Sequence, residues 1–147
     1  EGPWDEAEKK SRPASAADII GTWEMVYQKN GDLIPDNDPY VFPYHRFEFF
    51  SDGYVKTIGL NDPFDEEAMM VWAAAPKSSK CTFPNPGVLI IAGVSGDQTL
   101  IMISVMTEDM AQSLRPDAPK LKQGDLLLSY LTSDQQLYLQ RYLRKIH

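Results

Sequence analysis

The sequence has one cysteine, few basic residues and no long apolar run, and each scarcity excludes a class of protein. The single thiol, Cys81, allows neither an intrachain disulfide nor a zinc site built on several cysteines. Fourteen Lys and Arg stand against 21 Asp and Glu, a net charge of -7, so neither nucleic acid nor an anionic membrane surface is an expected partner. The longest apolar run, residues 87–94, is far shorter than the roughly 20 residues of a membrane helix, so no membrane insertion is expected.

The 147 residues suffice for one domain with one core. Residues 1–17 mix charge with Gly, Pro, Ser and Ala without an apolar period, so we expect a flexible lead-in before a domain over residues 18–147. A lead-in of this kind that does not begin with Met is typical of an exported protein after removal of a signal peptide. We therefore expect a periplasmic or secreted protein, with a cytoplasmic one as the alternative.

Most of the domain alternates between apolar and polar residues, which is typical of β-strands. Residues 15–18 predict a capped helical turn, and a strand follows over 22–29. The strongest hairpin signal is centred on residues 51–53, where Gly53 suits a left-handed turn position. In that register His45, Phe47, Phe49, Val55 and Thr57 share a dry face, while the charged residues between them share a wet one.

Two later strands, 88–94 and 98–107, are apolar on both faces, so we expect a cover on their outer face as well as a core inside. A predicted helix over 63–75, with Asp62 as its cap and Pro63 in its first turn, is one candidate cover, and a partner subunit is the other. A last hairpin spans residues 126–144. Seven or eight strands joined as consecutive hairpins, with one inserted helix, predict a single up-and-down antiparallel β-barrel.

Parts of the chain resemble the lipocalins and related calycins. The segment Ile-Ile-Gly-Thr-Trp at 19–23 resembles their G-x-W signature, which follows a helical turn and opens the first strand. Residues 47–55 resemble the second hairpin of small bacterial lipocalin-like domains, and residues 124–141 resemble the closing hairpin. The family's Thr-Asp-Tyr motif and the disulfides of secreted animal lipocalins are absent, which points to an outlying, bacterial-type relative.

The resemblance also implies which residues close the barrel. In the family an Arg on the last strand packs across the Trp of the first strand and closes one end. Gly21, Trp23 and Arg141 match this arrangement by position, so the resemblance implies a structural role for them. A cation over an indole ring is a favourable contact.

The inner faces of the predicted barrel are rich in aromatic side chains and poor in polar groups, a lining typical of a small-molecule pocket. We therefore expect non-covalent binding of a small apolar or amphipathic ligand, with no cofactor and no metal. The alternative is a barrel filled by the same side chains. The predicted ligand-binding residues are Met25, Tyr27, His45, Phe47, Phe49, Val55, Met102 and Tyr130.

Two other functions stay open. The two-faced apolar strands would let a filled barrel serve as an interaction module or a homodimer. His45 would be the base of a cavity enzyme of isomerase or hydratase type, but no nucleophile can be placed beside it, so no catalytic residue is predicted. Asp32, Asp36 and Asp38 lack the glycine and terminal glutamate of a calcium loop, so we expect a solvated acidic loop there.

Overall fold

The computed structural model describes residues 2–31, 44–59, 70, 73–74, 76–77, 79–93 and 96–146. The predicted acidic loop over 32–43 lies outside these residues. So does most of the predicted helix over 63–75, of which the described residues Met70, Ala73 and Ala74 are helical. No helix among the described residues is long and apolar enough to cross a membrane.

Nine strands and two short helices make up the described part of the chain. In chain order they are α1 (Pro3–Lys9), β1 (Ser11–Pro13), α2 (Ala16–Ile19), β2 (Gly21–Asn30), β3 (Tyr44–Phe49), β4 (Tyr54–Gly59), β5 (Ser79–Asn85), β6 (Val88–Ala92), β7 (Gln98–Met106), β8 (Leu126–Leu131) and β9 (Leu137–Lys145).

Strands β2 to β9 form a closed antiparallel barrel. Each pairs with the next in sequence, and the first and last, β2 and β9, pair along most of their length to close the ring. The predicted up-and-down barrel is therefore confirmed. We call the end where β2 begins the α2 end, and the opposite end the far end.

The hairpin predicted around residues 51–53 has the expected register. Phe49 lies opposite Val55 and Phe47 lies opposite Thr57. The turn closes with the Phe50 N–H donating to the Tyr54 carbonyl at 2.8 Å, and Gly53 has a φ of 89°, a conformation that glycine adopts at no steric cost. Phe47, Phe49 and Val55 are buried, as their alternation predicts.

The predicted helical turn is also present as α2. The N–H and the hydroxyl of Ser15 both donate to Asp18 Oδ2, at 2.8 and 2.9 Å, and this capping box begins the helix. The helix ends before Gly21, whose φ of 134° lets the chain turn into β2. Trp23 then enters the barrel core two residues later.

The segment over residues 1–17, predicted to be a flexible lead-in, contains α1 and β1 in the structure. Strand β7 is longer than β6, which pairs with β7 only as far as Met102. Strand β1 pairs with the rest of that edge of β7, at residues 104–106. Helix α1 packs Ala7 into a cluster on the outside of the barrel. The sequence shows no apolar period here because a three-residue strand and a helix with one buried apolar residue are too short to produce one.

The described residues form two separate hydrophobic clusters. One lies in the barrel interior and includes Trp23, Phe49, Leu126 and Leu143. The other lies on the outer surface, where the chain over residues 107–123 packs against β7 and β9. Its buried members are Ala7, Met106, Met110, Leu114, Ala118, Leu121 and Tyr142.

Candidate functional site

The barrel interior is filled at the α2 end and hollow at the far end. Trp23, Leu126, Leu128 and Leu143 are at most 1% exposed and leave little space between them. Beyond them, toward the far end, a cavity of about 190 Å³ remains. Its lining reaches the far end at Tyr44, where β3 begins, and extends into the barrel as far as Phe47 and Val55.

Aromatic and aliphatic side chains form a large part of the cavity wall. Tyr44 and Phe47 come from β3, Val55 from β4, Ile91 from β6 and Tyr130 from β8. The Tyr44 and Phe47 rings meet edge to face, with centroids 5.7 Å apart. Flat apolar walls of this kind suit a small molecule with an apolar body.

Arg141 lines the same cavity and is 3% exposed. Its guanidinium carbon lies 4.8 Å from the centroid of Tyr130, 5.2 Å from that of Tyr44 and 5.8 Å from that of Phe47. Its Nε–H donates to Gln28 Oε1 at 3.1 Å. The guanidinium is thus fixed as a buried cation within a ring of aromatic faces.

Hydroxyl groups complete the polar part of the wall. Thr57, Ser79 and Thr99 line the cavity together with the Tyr130 phenol. Burial raises the pKa of Tyr130, an effect that the charge and the hydrogen bond of Arg141 partly oppose. Tyr130 therefore stays a neutral phenol at ordinary pH and can donate or accept a hydrogen bond.

Of the predicted ligand-binding residues, Phe47, Val55 and Tyr130 line the cavity. Phe49 is 2% exposed and belongs to the interior cluster, and Met25 packs against that cluster, so both contribute to the filled part of the interior. Three of the eight predicted residues therefore line the cavity.

The structure corrects the predicted positions of Tyr27 and His45. A β-bulge lies just before Tyr27 in β2, and another includes His45 in β3. The β2–β9 pairing shifts between Met25 and Tyr27, and Tyr27 joins the outer cluster, with its ring centroid 4.8 Å from that of Tyr142.

The β3–β4 pairing shifts between Tyr44 and Arg46, and Tyr44 lines the cavity. His45 does not line it, and its Nε2 lies 3.2 Å from Glu24 Oε1. A bulge changes the face of the residues around it, which strict alternation cannot anticipate.

Met102 also lies away from the cavity. Its neighbours Ile101 and Ile103 are buried in the interior, whereas Met102 is 43% exposed. A strand that is apolar on both faces gives no sequence signal for which face is inner. The alternation of burial along β7 places Met102 on the outer face.

The cation over Trp23 is Lys145, not the Arg141 that the resemblance implies. Trp23 and Lys145 are partners in the β2–β9 ladder, and Lys145 Nζ lies 5.7 Å from the indole centroid. Arg141 is four residues earlier on β9 and lines the cavity. Gly21 and Trp23 occupy the predicted places at the start of the first barrel strand.

The structure adds Tyr44, Ser79, Ile91 and Thr99 to the site, and it moves Arg141 from the barrel end into the cavity. For Arg141 the sequence does carry a signal, because it is the one charged residue in the row Leu137, Leu139, Arg141, Leu143. For Ser79 there is none, since an isolated small polar residue is compatible with any surface position.

Metal and thiol chemistry find no support in the described residues. No group of three or more His, Cys, Asp or Glu among them could hold a metal ion. Burial raises the pKa of Cys81 to about 12, so this residue stays a protonated thiol and is a poor nucleophile.

The fold and the cavity together define a small closed antiparallel β-barrel whose interior is hollow at one end. No protein-family model, curated protein or solved structure gives a significant match to this chain.

Proposed function

We propose that this protein is a lipocalin-like barrel that binds a small apolar or amphipathic molecule non-covalently in its interior. The observation that carries the proposal is the cavity of about 190 Å³ at the far end, walled by Tyr44, Phe47 and Tyr130. An apolar cavity of roughly 150 Å³ is large enough to hold benzene. A space of this size and lining can therefore hold a compact ligand.

The arrangement around Trp23 supports the lipocalin-like assignment. Its indole follows a short helical turn, lies near the start of the first barrel strand and has a cation from the last strand over its ring. That cation is Lys145, and α1 and β1 precede the barrel, so the chain departs from the family pattern in detail.

The first test is native mass spectrometry of the protein purified gently from cells. A bound small molecule that is lost on denaturation supports the proposal and gives the mass of the ligand. A titration with a hydrophobic fluorescent dye, followed through the dye's emission, then measures access to the cavity.

A matched pair of variants locates the binding. Thr57 lines the cavity, so Thr57→Phe should fill it and abolish dye binding. Thr82 is exposed on β5, so Thr82→Phe makes the same chemical change without occupying the cavity and should leave dye binding intact. Equal binding by both variants would place the dye elsewhere and contradict the proposal.

A second candidate function is protein–protein interaction through the outer face of β6 and β7. Met102, 43% exposed, lies opposite Val88 in this ladder, and Leu100 lies opposite Ile90. An exposed apolar patch favours association with another chain. Three results together would favour this function over ligand binding. The protein would bind no hydrophobic dye, it would run as a dimer by size exclusion with light scattering, and Met102→Lys would run as a monomer.

A further inference from the structure

We propose that the α2 end of the barrel carries a second binding site, for the phosphate group of a phosphomonoester. The site is a pocket of about 210 Å³ where β8 begins and β9 ends, lined by residues 122–125 together with Arg144 and Lys145. It shares no lining residue with the cavity at the far end. This inference therefore goes beyond the proposed function and does not depend on it.

The wall of this pocket has an excess of positive charge. Lys122, Arg144 and Lys145 stand against one acid, Asp125, which leaves two positive charges in excess. The chain as a whole has a net charge of -7, so the positive pocket is a local feature. Cations gathered around one concave site attract anions and raise their local concentration.

Asp125 does not neutralise the two lysines, because its carboxylate is already satisfied. The side chain is 3% exposed and accepts the Arg144 Nε–H at 3.0 Å, the Arg144 Nη2–H at 2.8 Å and the Lys122 backbone N–H at 2.9 Å. The guanidinium of Arg144 is thereby held in one orientation. Within the described residues its Nη1 group has no acceptor and is left as a donor for a ligand.

The two lysines keep their charge free for a ligand. Both side chains are exposed, and neither has an acidic partner in the part of the chain that the structure describes. Lys145 Nζ lies over the Trp23 ring, a contact that does not neutralise its charge. The Asp125 N–H donates to the Lys122 carbonyl at 3.0 Å, and this turn fixes where the Lys122 side chain leaves the backbone.

Two further acids lie near the pocket, but neither lines it. Asp109 Oδ1 accepts the Gln123 N–H at 2.8 Å. Glu24 lies opposite Arg144 in the β2–β9 ladder, and its Oε1 is 3.2 Å from His45 Nε2. Both carboxylates already have partners, so the pocket wall keeps its excess of positive charge.

The number of charges and donors favours a phosphate group over a carboxylate. A phosphomonoester carries a charge of about -1.5 to -2 at pH 7 and has three strong acceptor oxygens. A carboxylate carries one charge on two oxygens. Two excess positive charges on three cationic side chains therefore match the phosphate group, which both arginine and lysine bind well.

A soluble phosphate compound and the headgroup of phosphatidic acid share this chemistry. The net charge of -7 opposes approach to an anionic membrane surface, so we expect a soluble compound. Sedimentation with vesicles of phosphatidylcholine, with and without phosphatidic acid, distinguishes the two sources. Binding to the phosphatidic acid vesicles that is lost in the lysine variants described next would assign the same site to a lipid headgroup.

The experiment compares glycerol 3-phosphate with glycerate by isothermal titration calorimetry at pH 7 in about 0.1 M salt. The unaltered protein should bind glycerol 3-phosphate at least about fivefold more tightly than glycerate, because the ligand has more charge and one more acceptor oxygen. The double variant of Lys122→Gln and Lys145→Gln should weaken the binding roughly tenfold, since one exposed ion pair contributes up to about fivefold in affinity.

A second double variant is the matched control. Lys80 and Lys120 are exposed and lie outside the pocket, so Lys80→Gln with Lys120→Gln makes the same change in net charge. Its affinity should stay within about twofold of the unaltered protein, because salt screens distant surface charges. Equal weakening in both double variants would overturn the proposal, since it would mean that only the overall charge matters.

Lys122→Gln alone keeps the test decisive if the loss of Lys145 from the Trp23 ring disturbs the α2 end. Lys122 is an exposed turn residue, and its substitution should weaken binding about two- to fivefold without a change in folding. The proposal is overturned if neither glycerol 3-phosphate nor the phosphatidic acid vesicles bind, or if glycerate binds as tightly as glycerol 3-phosphate. Dye binding in the far-end cavity should be the same in all these variants, so its failure would concern the proposed function alone.

Discussion

Lys145 Nζ lies 5.7 Å from the centroid of the Trp23 ring, and the two residues face each other across the ladder that joins the first and last barrel strands. On its other side the Trp23 Nε1–H donates to the Ile19 carbonyl at 2.8 Å. One indole thus contacts both α2 and β9. The closure of the barrel and the filling of its α2 end therefore both depend on the Trp23 side chain.

Trp23→Ala should lower the free energy of unfolding by about 3–5 kcal/mol, because it leaves a large cavity in a packed interior. Trp23 is 1% exposed, so solvent can refill little of the space that its ring would leave. Urea denaturation followed by circular dichroism measures the change. Lys145→Ala should cost much less, about 0.5–1 kcal/mol, since it removes a cation–π contact near the surface. A near-zero cost for Trp23→Ala would contradict the assigned role in closure.

Two buried tyrosines should respond in opposite ways to removal of the hydroxyl group. The Tyr142 hydroxyl has no hydrogen-bond partner among the described residues, and burial raises its pKa to about 12. Tyr142→Phe should therefore leave stability unchanged or raise it by about 1 kcal/mol. The Tyr130 hydroxyl interacts with Arg141, so Tyr130→Phe should cost about 1–3 kcal/mol.

Thermal and urea denaturation of both tyrosine variants measure these changes. Each substitution removes one oxygen atom and preserves the ring, so packing is matched between them. A destabilisation of Tyr142→Phe as large as that of Tyr130→Phe would mean that the Tyr142 hydroxyl is satisfied after all.

The barrel could be predicted from the sequence because its signals are local. The hairpin around Gly53 needs only a turn residue and the alternation of the flanking strands, and both agree on the pairing of Phe49 with Val55. Trp23 is similarly marked by its place after a capped turn. Strand β1 could not be predicted, because it exists only where β7 extends beyond β6, a difference in length set by tertiary structure.

The candidate site was less predictable, because single bulges decide which side chains reach it. Tyr27 and His45 would face inward in regular strands, and the two register shifts put Tyr27 outside and Tyr44 at the cavity. Such shifts carry no clear sequence signature. Arg141 could be recognised as unusual in an apolar row, but not as part of a cavity wall.

Gly87→Ala should destabilise the protein more than Gly96→Ala does. Both glycines have a positive φ, 84° and 90°, so both variants carry the strain of a left-handed conformation. At Gly87 an added Cβ would lie 2.9 Å from the Cβ of Pro13, whereas at Gly96 it meets open space. The added cost at Gly87 therefore comes from the contact with β1.

Denaturation of the two glycine variants isolates that contact. We expect a cost of about 1 kcal/mol for Gly96→Ala, and about 1–3 kcal/mol more for Gly87→Ala. Hydrogen exchange should show faster exchange at the Ala14 amide, which donates to the Ile103 carbonyl, in the Gly87 variant alone. Equal stability of the two variants would argue against a docked β1.

Glu6 joins α1 to the chain that covers the outer cluster. Its carboxylate accepts the N–H groups of Ala111 and Gln112, at 2.8 and 3.1 Å, and pairs with Lys10 at 2.8 Å. The Lys10 hydrogen bond and the backbone hydrogen bonds lower the pKa of Glu6 from 4.5 to about 2. The ion pair with Lys10 requires the ionised carboxylate, and the two backbone N–H groups, one on each oxygen, bind that form more strongly than the neutral one.

Glu6→Gln should therefore lower stability near neutral pH and have less effect in acid. A carboxyl whose folded pKa is depressed contributes stability above its unfolded value, and this contribution disappears as pH falls through the folded value. The difference in melting temperature between the unaltered protein and Glu6→Gln should be full at pH 7 and shrink between about pH 4.5 and 2. Asp5 is exposed on the same helix, so Asp5→Asn is the matched control and should track the unaltered protein throughout. If the difference in melting temperature between the unaltered protein and Glu6→Gln stays constant down to pH 2, ionisation of Glu6 does not hold α1 in place.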